Sequence, residues 1–209
     1  VQSMEQSVTN VSTFVYDLLR LSQLDALPVS VHTRFDLSAL VTRITEYVQT
    51  ICDENHITLI VSIEKNVTFT GNQKDVEELV TILLSNAVKY TKDKLSLIIA
   101  TTLYQTENDI VLSIRDTGIG IPKDKLPHIF DRFYRAHEER SERGSGLGLA
   151  IARRITEQHK GVISVTSIEG QGSLFSVLLP RMTPQNPSAI HGIQGLIPET
   201  IIVASRNTV

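Results

Sequence analysis

Four short blocks, LLSNAVKYT (Leu83 to Thr91), RDTGIGIP (Arg115 to Pro122), IFDRFYRA (Ile129 to Ala136) and GSGLGLAIA (Gly144 to Ala152), follow one another within about seventy residues. They fix where backbone must turn tightly and where helices must start, which leaves few folds open. The first has the period of an amphipathic helix, the second ends a strand in a glycine turn, and the fourth opens a helix on bare glycines.

The runs around the blocks supply the remaining elements. Met4, Val8, Val11, Val15 and Leu18 recur at steps of four and three, a helical seam suited to one arm of a hairpin in a dimeric bundle. Pro28 interrupts that pattern, so residues 28–35 read as a linker between a helix over 1–27 and a domain over 36–180. Asp36 is a candidate N-cap for a helix carrying Leu37, Leu40, Val41, Ile44 and Val48. ITLIVSI and VTFT read as strands, Asn72 with Asp75 as the cap of the next helix, LSLIIATTLY and DIVLSIRD as a hairpin, and GVISVTSI and SLFSVLL as two further strands joined by EGQG. Helices on one face of a mixed sheet give an α/β two-layer sandwich preceded by one long helix. The polar stretch from about 120 to 145 is long for a connection and is expected to act as a lid. Residues 181–209 form a tail of mixed character to which the sequence assigns no role.

Composition narrows the partners. The 209 residues are 41% hydrophobic and 21% charged with a net charge of -3, and the basic residues are scattered, so nucleic acid is not an expected partner. The single cysteine, Cys52, cannot close an internal disulfide, and its spacing to His56 has no second ligand pair to make a metal site. No apolar run approaches the roughly eighteen residues that cross a bilayer, so no membrane contact is expected of this stretch. The chain starts inside a helical pattern and reads as a fragment of a longer protein. Apart from His137, the histidines, among them His32, His128 and His159, have no partner spacing and are expected at the surface or in linkers.

Each block admits a chemical reading and a bland one. Asn86, Lys89 and Tyr90 stand at i, i+3 and i+4 and share a helix face, where an amide oxygen suits Mg²⁺, an ammonium suits phosphate and a ring suits a purine; an ordinary surface face would look the same. Asp116 can accept a hydrogen bond from an exocyclic amine such as adenine's, with Gly118 and Gly120 letting backbone approach, although a structural turn would also place them there. Arg132 and Arg135 could reach phosphate from a segment anchored by Phe130 and Phe133. The fourth block is GxGxG after a polar loop, which fits neither the dinucleotide fingerprint nor a P-loop and leaves a helix N-terminus suited to an anion.

Taken together, the blocks resemble the N, G1, F and G2 boxes of the bacterial sensor histidine kinases, and EGQGSLFSVLLP is similar to the last glycine turn and strand of that family's ATP-binding domain. The likeness covers about Phe35 to Pro180, and VYDLLRLSQLDAL is similar to the end of the second helix of the family's dimerisation and phosphotransfer hairpin. The resemblance implies a Bergerat ATP fold, ATP with Mg²⁺ as ligand, transfer of the γ-phosphate to a histidine and relay to an aspartate of a response regulator. It implies Asn86 at the metal, Lys89, Arg132 and Arg135 at the phosphates, and Tyr90 and Asp116 at the adenine. Gly118, Gly120 and Ile121 would shape its pocket, and Gly144, Gly146, Leu147 and Gly148 would form the phosphate-facing end of the lid. The implied setting is the cytoplasmic portion of a membrane-anchored, homodimeric sensor kinase.

Three positions depart from the family pattern. The acceptor motif, a histidine followed by Glu and shortly by Pro, does not occur in the hairpin helix, and His137-Glu138 mimics only its start from within the lid. Ile82 stands where many members carry a second Asn, and Asn72 replaces an Asp as a near-equivalent cap. Two other readings follow: an ATPase of the DNA gyrase or heat-shock chaperone type, which would need a general-base Glu where Ile82 stands, and a pseudokinase that binds partners without turnover.

Overall fold

The computed structural model describes residues 2–26, 32–91, 97–136, 145–181 and 202–203. Helix α1 (Gln2–Ala26) is followed by β1 (Thr33–Asp36), α2 (Leu37–Glu54), β2 (Thr58–Ile63), β3 (Thr68–Gly71), α3 (Gln73–Thr91), β4 (Ile98–Gln105) and β5 (Asp109–Asp116). A single 3₁₀ turn (Leu126–His128) then precedes α4 (Gly148–Gln158), β6 (Val162–Ile168), β7 (Gly172–Pro180) and the two-residue β8 (Ile202–Val203).

The main sheet runs β2-β4-β5-β7-β6-β8, with β2 parallel to β4 and every other pair antiparallel. Joining two parallel strands requires a crossover, and α3 is the helix that makes it. Along each central strand the residues alternate in burial. Ile99, Leu103, Ile110, Leu112, Ile114, Ile163, Val165, Phe175, Val177 and Leu179 point into the core, while Thr102, Ser113, Ser164 and Ser176 line the other face. The helices cover the inward face, α2 through Leu40, Val41 and Val48, α3 through Leu79, Leu83 and Leu84, and α4 through Ile151 and Ile155. Burying each such side chain contributes on the order of 1.5–3 kcal/mol. The expected α/β two-layer sandwich, with one long helix in front, is the fold.

Local chemistry sets the helix starts. Asp36 caps α2 by accepting from the Ala39 N–H at 2.9 Å. Asn72 caps α3, its Oδ1 accepting from Lys74 and Asp75 N–H. The return half of that capping box is absent, because the Asp75 carboxylate pairs with Arg20 of α1 instead.

Two readings of the sequence need correction. The segment read as a linker ends in the first three residues of β1, which pairs with β3 and sets Phe35 edge-on against Phe69; three residues ahead of the N-cap Asp36 carry too little pattern to announce a strand. His159 is not at the surface but 4% exposed at the C-cap of α4. The lid segment is only partly within the described residues; Gly144 and His137 lie outside them, as does most of the tail.

Helix α1 lies along the domain. Leu21 and Leu24 are buried, Arg20 pairs with Asp75 and Glu78 of α3, and the Leu24 carbonyl accepts from Gln158 at 2.6 Å. Its other side leaves Val15, Tyr16, Leu18 and Leu19 exposed.

Candidate nucleotide site

The ends of α3, β5 and β7 and the approach to α4 enclose a cavity of about 360 Å³. On α3 the inward residues Leu83, Leu84, Ala87 and Val88 are buried in the core, which turns Asn86, Lys89 and Tyr90 toward the cavity. The Lys89 ammonium sits 5.0 Å from the centre of the Tyr90 ring. Ile82, one turn before Asn86, also lines the cavity and presents only carbon.

Asp116 terminates β5 and is 6% exposed. Its Oδ1 accepts from the Gly118 N–H at 2.8 Å and the Ser173 N–H at 3.2 Å, so two backbone donors on different segments fix the carboxylate against the cavity wall. Gly118 and Gly120 do not line the cavity themselves. A Cβ on Gly118 would fall 2.2 Å from the Tyr90 carbonyl oxygen, and Gly120 has φ +66 with its Cβ position 2.1 Å from the Ile168 oxygen. These glycines let the loop press onto α3 and β6, and the Ile119 N–H then reaches Tyr90 O at 3.1 Å. Ile121 is brought to the wall by donating its N–H to Ser167 Oγ at 2.9 Å.

At the opposite end Gly146 and Gly148 line the cavity, and a Cβ on Gly146 would lie 2.7 Å from the Phe133 carbonyl carbon. Leu147 is fully buried, so its side chain anchors the start of α4 in the core rather than facing a ligand. Arg135 lines the cavity; Arg132 is turned away, its guanidinium 2.6 Å from Asp25 of α1. The structure thus brings Asn86, Lys89, Tyr90, Asp116, Ile121, Arg135, Gly146 and Gly148 to one cavity, with Gly118, Gly120 and Leu147 behind its wall.

Several lining residues were not legible in the sequence. Asp17 of α1 reaches the cavity and accepts from Ser145 Oγ at 2.6 Å, a contact across more than a hundred residues with no local signature. Ser173, next to Asp116, follows the glycine of EGQG and had that turn as its only signal. Ile129, Tyr134 and Phe175 add apolar wall suited to a flat ring. Among the described residues no group of three or more His, Cys, Asp and Glu could hold a metal ion, and no helix is long and apolar enough to cross a membrane.

The sequence and the fold are similar to those of known proteins. The family described as histidine kinase-, DNA gyrase B-, and HSP90-like ATPase matches residues 71–183. Sensor histidine kinase RppB of Synechocystis is 36% identical over 184 residues, covering 86% of this chain and 40% of that protein. The heme sensor protein HssS of Staphylococcus haemolyticus is 33% identical over 185 residues, covering 87% and 39%. The chain therefore spans about two fifths of the length of these relatives. Among solved structures, full-length ShkA in complex with AMPPNP superposes with a TM-score of 0.73 at 23% identity over 86% of this chain and 37% of that one. The mycobacterial sensor histidine kinase MprB gives 0.61 at 28% identity, over 72% and 97%.

Proposed function

The chain belongs to the histidine kinase-, DNA gyrase B- and HSP90-like ATPase family, and from that membership we propose that it is the ATP-binding catalytic part of a sensor histidine kinase. The observation that carries this reading is the convergence of Asn86, Lys89, Tyr90 and Asp116 with the glycine approach to α4 on one cavity. Asp116, held by two N–H groups, accepts from the adenine amine, and Tyr90 and Ile121 flank the ring. Lys89 and Arg135 neutralise the phosphates, and the backbone N–H groups at the start of α4 receive them. Arg132 joins them only after leaving Asp25.

The donor set fits Mg²⁺. Asn86 offers one amide oxygen and Ile82 none, which suits a hard cation that keeps its waters and phosphate oxygens. When bound, Mg²⁺ supplies charge neutralisation of the triphosphate. The protein's part is positioning: it holds the γ-phosphate for attack by a histidine of a hairpin helix that these 209 residues do not contain. The phosphoryl group then passes to an aspartate of a response regulator. In this reading α1 is the second helix of the hairpin and pairs two copies, and the chain is the cytoplasmic portion of a membrane-anchored sensor.

Incubation with labelled ATP and a separately supplied acceptor hairpin tests the reading. Label is expected on the hairpin; label on this chain itself sinks it. Ile82 favours a second reading, a nucleotide-binding module without turnover. Nucleotide-induced thermal shifts that are equal with and without magnesium would support that alternative.

A further inference from the structure

His159 lies outside the cavity and none of the four sequence blocks contains it. Its ring is nevertheless committed on every side. Nδ1 is 2.8 Å from the Ile155 carbonyl, which can only accept, and Nε2 is 3.0 Å from the Asn72 backbone N–H, which can only donate. These partners fix the neutral Nδ1–H tautomer. A Cβ on Gly71 would meet the ring at 2.6 Å, so the imidazole lies close against backbone, and Phe69 and His32 cover it, the latter stacked at 5.4 Å.

Asn72 is the residue that caps α3, and His159 is the last turn of α4. The bond between them therefore joins the N-terminus of α3 to the C-terminus of α4. The other ends of the same helices carry Asn86, Lys89 and Tyr90 and the Gly146–Gly148 approach, about 20 Å away along α3.

We propose that His159 is a positioning residue for the nucleotide cavity: its neutral ring ties α4 to α3 and sets how the two helices face each other across the ligand, and a proton on Nε2 opens that tie. A protonated ring would set one N–H against another at the positive end of a helix. The charged groups near the ring are Asp75 on α3 and its partner Arg20 of α1, which also holds Glu78; the titratable ring of His32 ahead of β1 stacks on it. Burial pushes the imidazole below the ordinary histidine range, while the Ile155 carbonyl and Asp75 pull it upward and His32 lowers it further.

The proposal rests on the nucleotide reading and makes a reciprocal claim. If the neutral ring favours the binding-competent cavity, bound nucleotide must favour the neutral ring. The His159 ring nitrogens are followed by NMR in the 209-residue chain from about pH 7.5 to about pH 5, with and without saturating AMPPNP and magnesium. The expected result is a lower protonation midpoint in the bound state, each pH unit of displacement corresponding to about a tenfold difference in affinity between the two protonation states. The field of the polyanion would raise the midpoint, so the expected sign separates the tie from simple electrostatics. His159→Gln, which can accept from Asn72 without titrating, should lose less affinity than wild type as pH falls. Equal or raised midpoints with AMPPNP bound overturn the proposal and leave the nucleotide reading standing; absence of AMPPNP binding at about pH 7.5 overturns both.

Discussion

Asp17 of α1 and Ser145, three residues before the glycine that opens α4, are joined by a 2.6 Å hydrogen bond on the wall of the nucleotide cavity. A helix outside the sheet domain thus places a carboxylate at the end of the cavity where phosphates are expected. With Arg20 on Asp75 and Asp25 on Arg132, α1 holds both α3, which carries Asn86, and one of the two F-block arginines.

Removing the Asp17 charge should therefore strengthen nucleotide binding. For a partly exposed carboxylate the gain is about 0.5–1 kcal/mol, or roughly two- to fivefold in affinity. Titration of Asp17→Asn with ATP at low and high salt measures it, and an affinity equal to wild type at low salt would refute the assignment.

Asp116→Ala should weaken ATP binding by about 1.5–3 kcal/mol, roughly ten- to a hundredfold, and lower the melting temperature because Gly118 and Ser173 N–H lose their acceptor. Asp116→Asn should also narrow the preference for ATP over GTP, since a neutral amide no longer repels a guanine carbonyl. Calorimetry with both nucleotides reads the ratio.

Two glycines with left-handed backbone provide a matched pair. Gly120→Ala combines φ +66 with a Cβ 2.1 Å from the Ile168 oxygen, whereas Gly170→Ala has φ +79 and nothing within 4 Å. The second should cost about 1–2 kcal/mol from backbone strain alone. The first should cost more and disturb nucleotide binding, as Ile121 next to it loses its seat. Denaturant titration of both variants checks the order.

The pH dependence of stability has a definite sign at His159. Burial depresses its folded-state value below that of the unfolded chain, so the unfolded state takes up the proton first. Stability from the neutral ring is complete above about pH 6.5 and declines as pH falls through and below that value. Urea midpoints of wild type should fall more steeply with acid than those of His159→Gln; parallel curves would refute the claim.

The exposed apolar side of α1 should drive self-association. Val15 is 46% and Leu18 44% exposed despite their places in the helical seam. Sedimentation should show a concentration-dependent dimer that the double substitution Val15→Lys, Leu18→Lys converts to monomer without changing nucleotide affinity.

Much of the site was legible because its residues are local. The i, i+3, i+4 spacing of Asn86, Lys89 and Tyr90 implies one face of one helix, and all three line the cavity. Asp116 at a strand end with glycines after it implies a fixed carboxylate beside a close backbone approach. The glycines, however, serve the wall rather than the ligand, and the sequence reading left both possibilities open. Arg132 shows the limit: its block anchors it beside the cavity, but Asp25, more than a hundred residues away, takes its charge.

The sequence by itself determined the order of the helices and of the strands from β2 to β7, the helix caps at Asp36 and Asn72 and the grouping of the four blocks, because these depend on periodicity, capping and backbone freedom within a few residues. The tertiary structure alone decided that Asp17 walls the cavity, that Arg132 is held away from it, and that His159 joins two helices in a buried, neutral state. Each of those outcomes depends on pairing charges and hydrogen-bond donors between segments far apart in the chain, which local pattern does not encode.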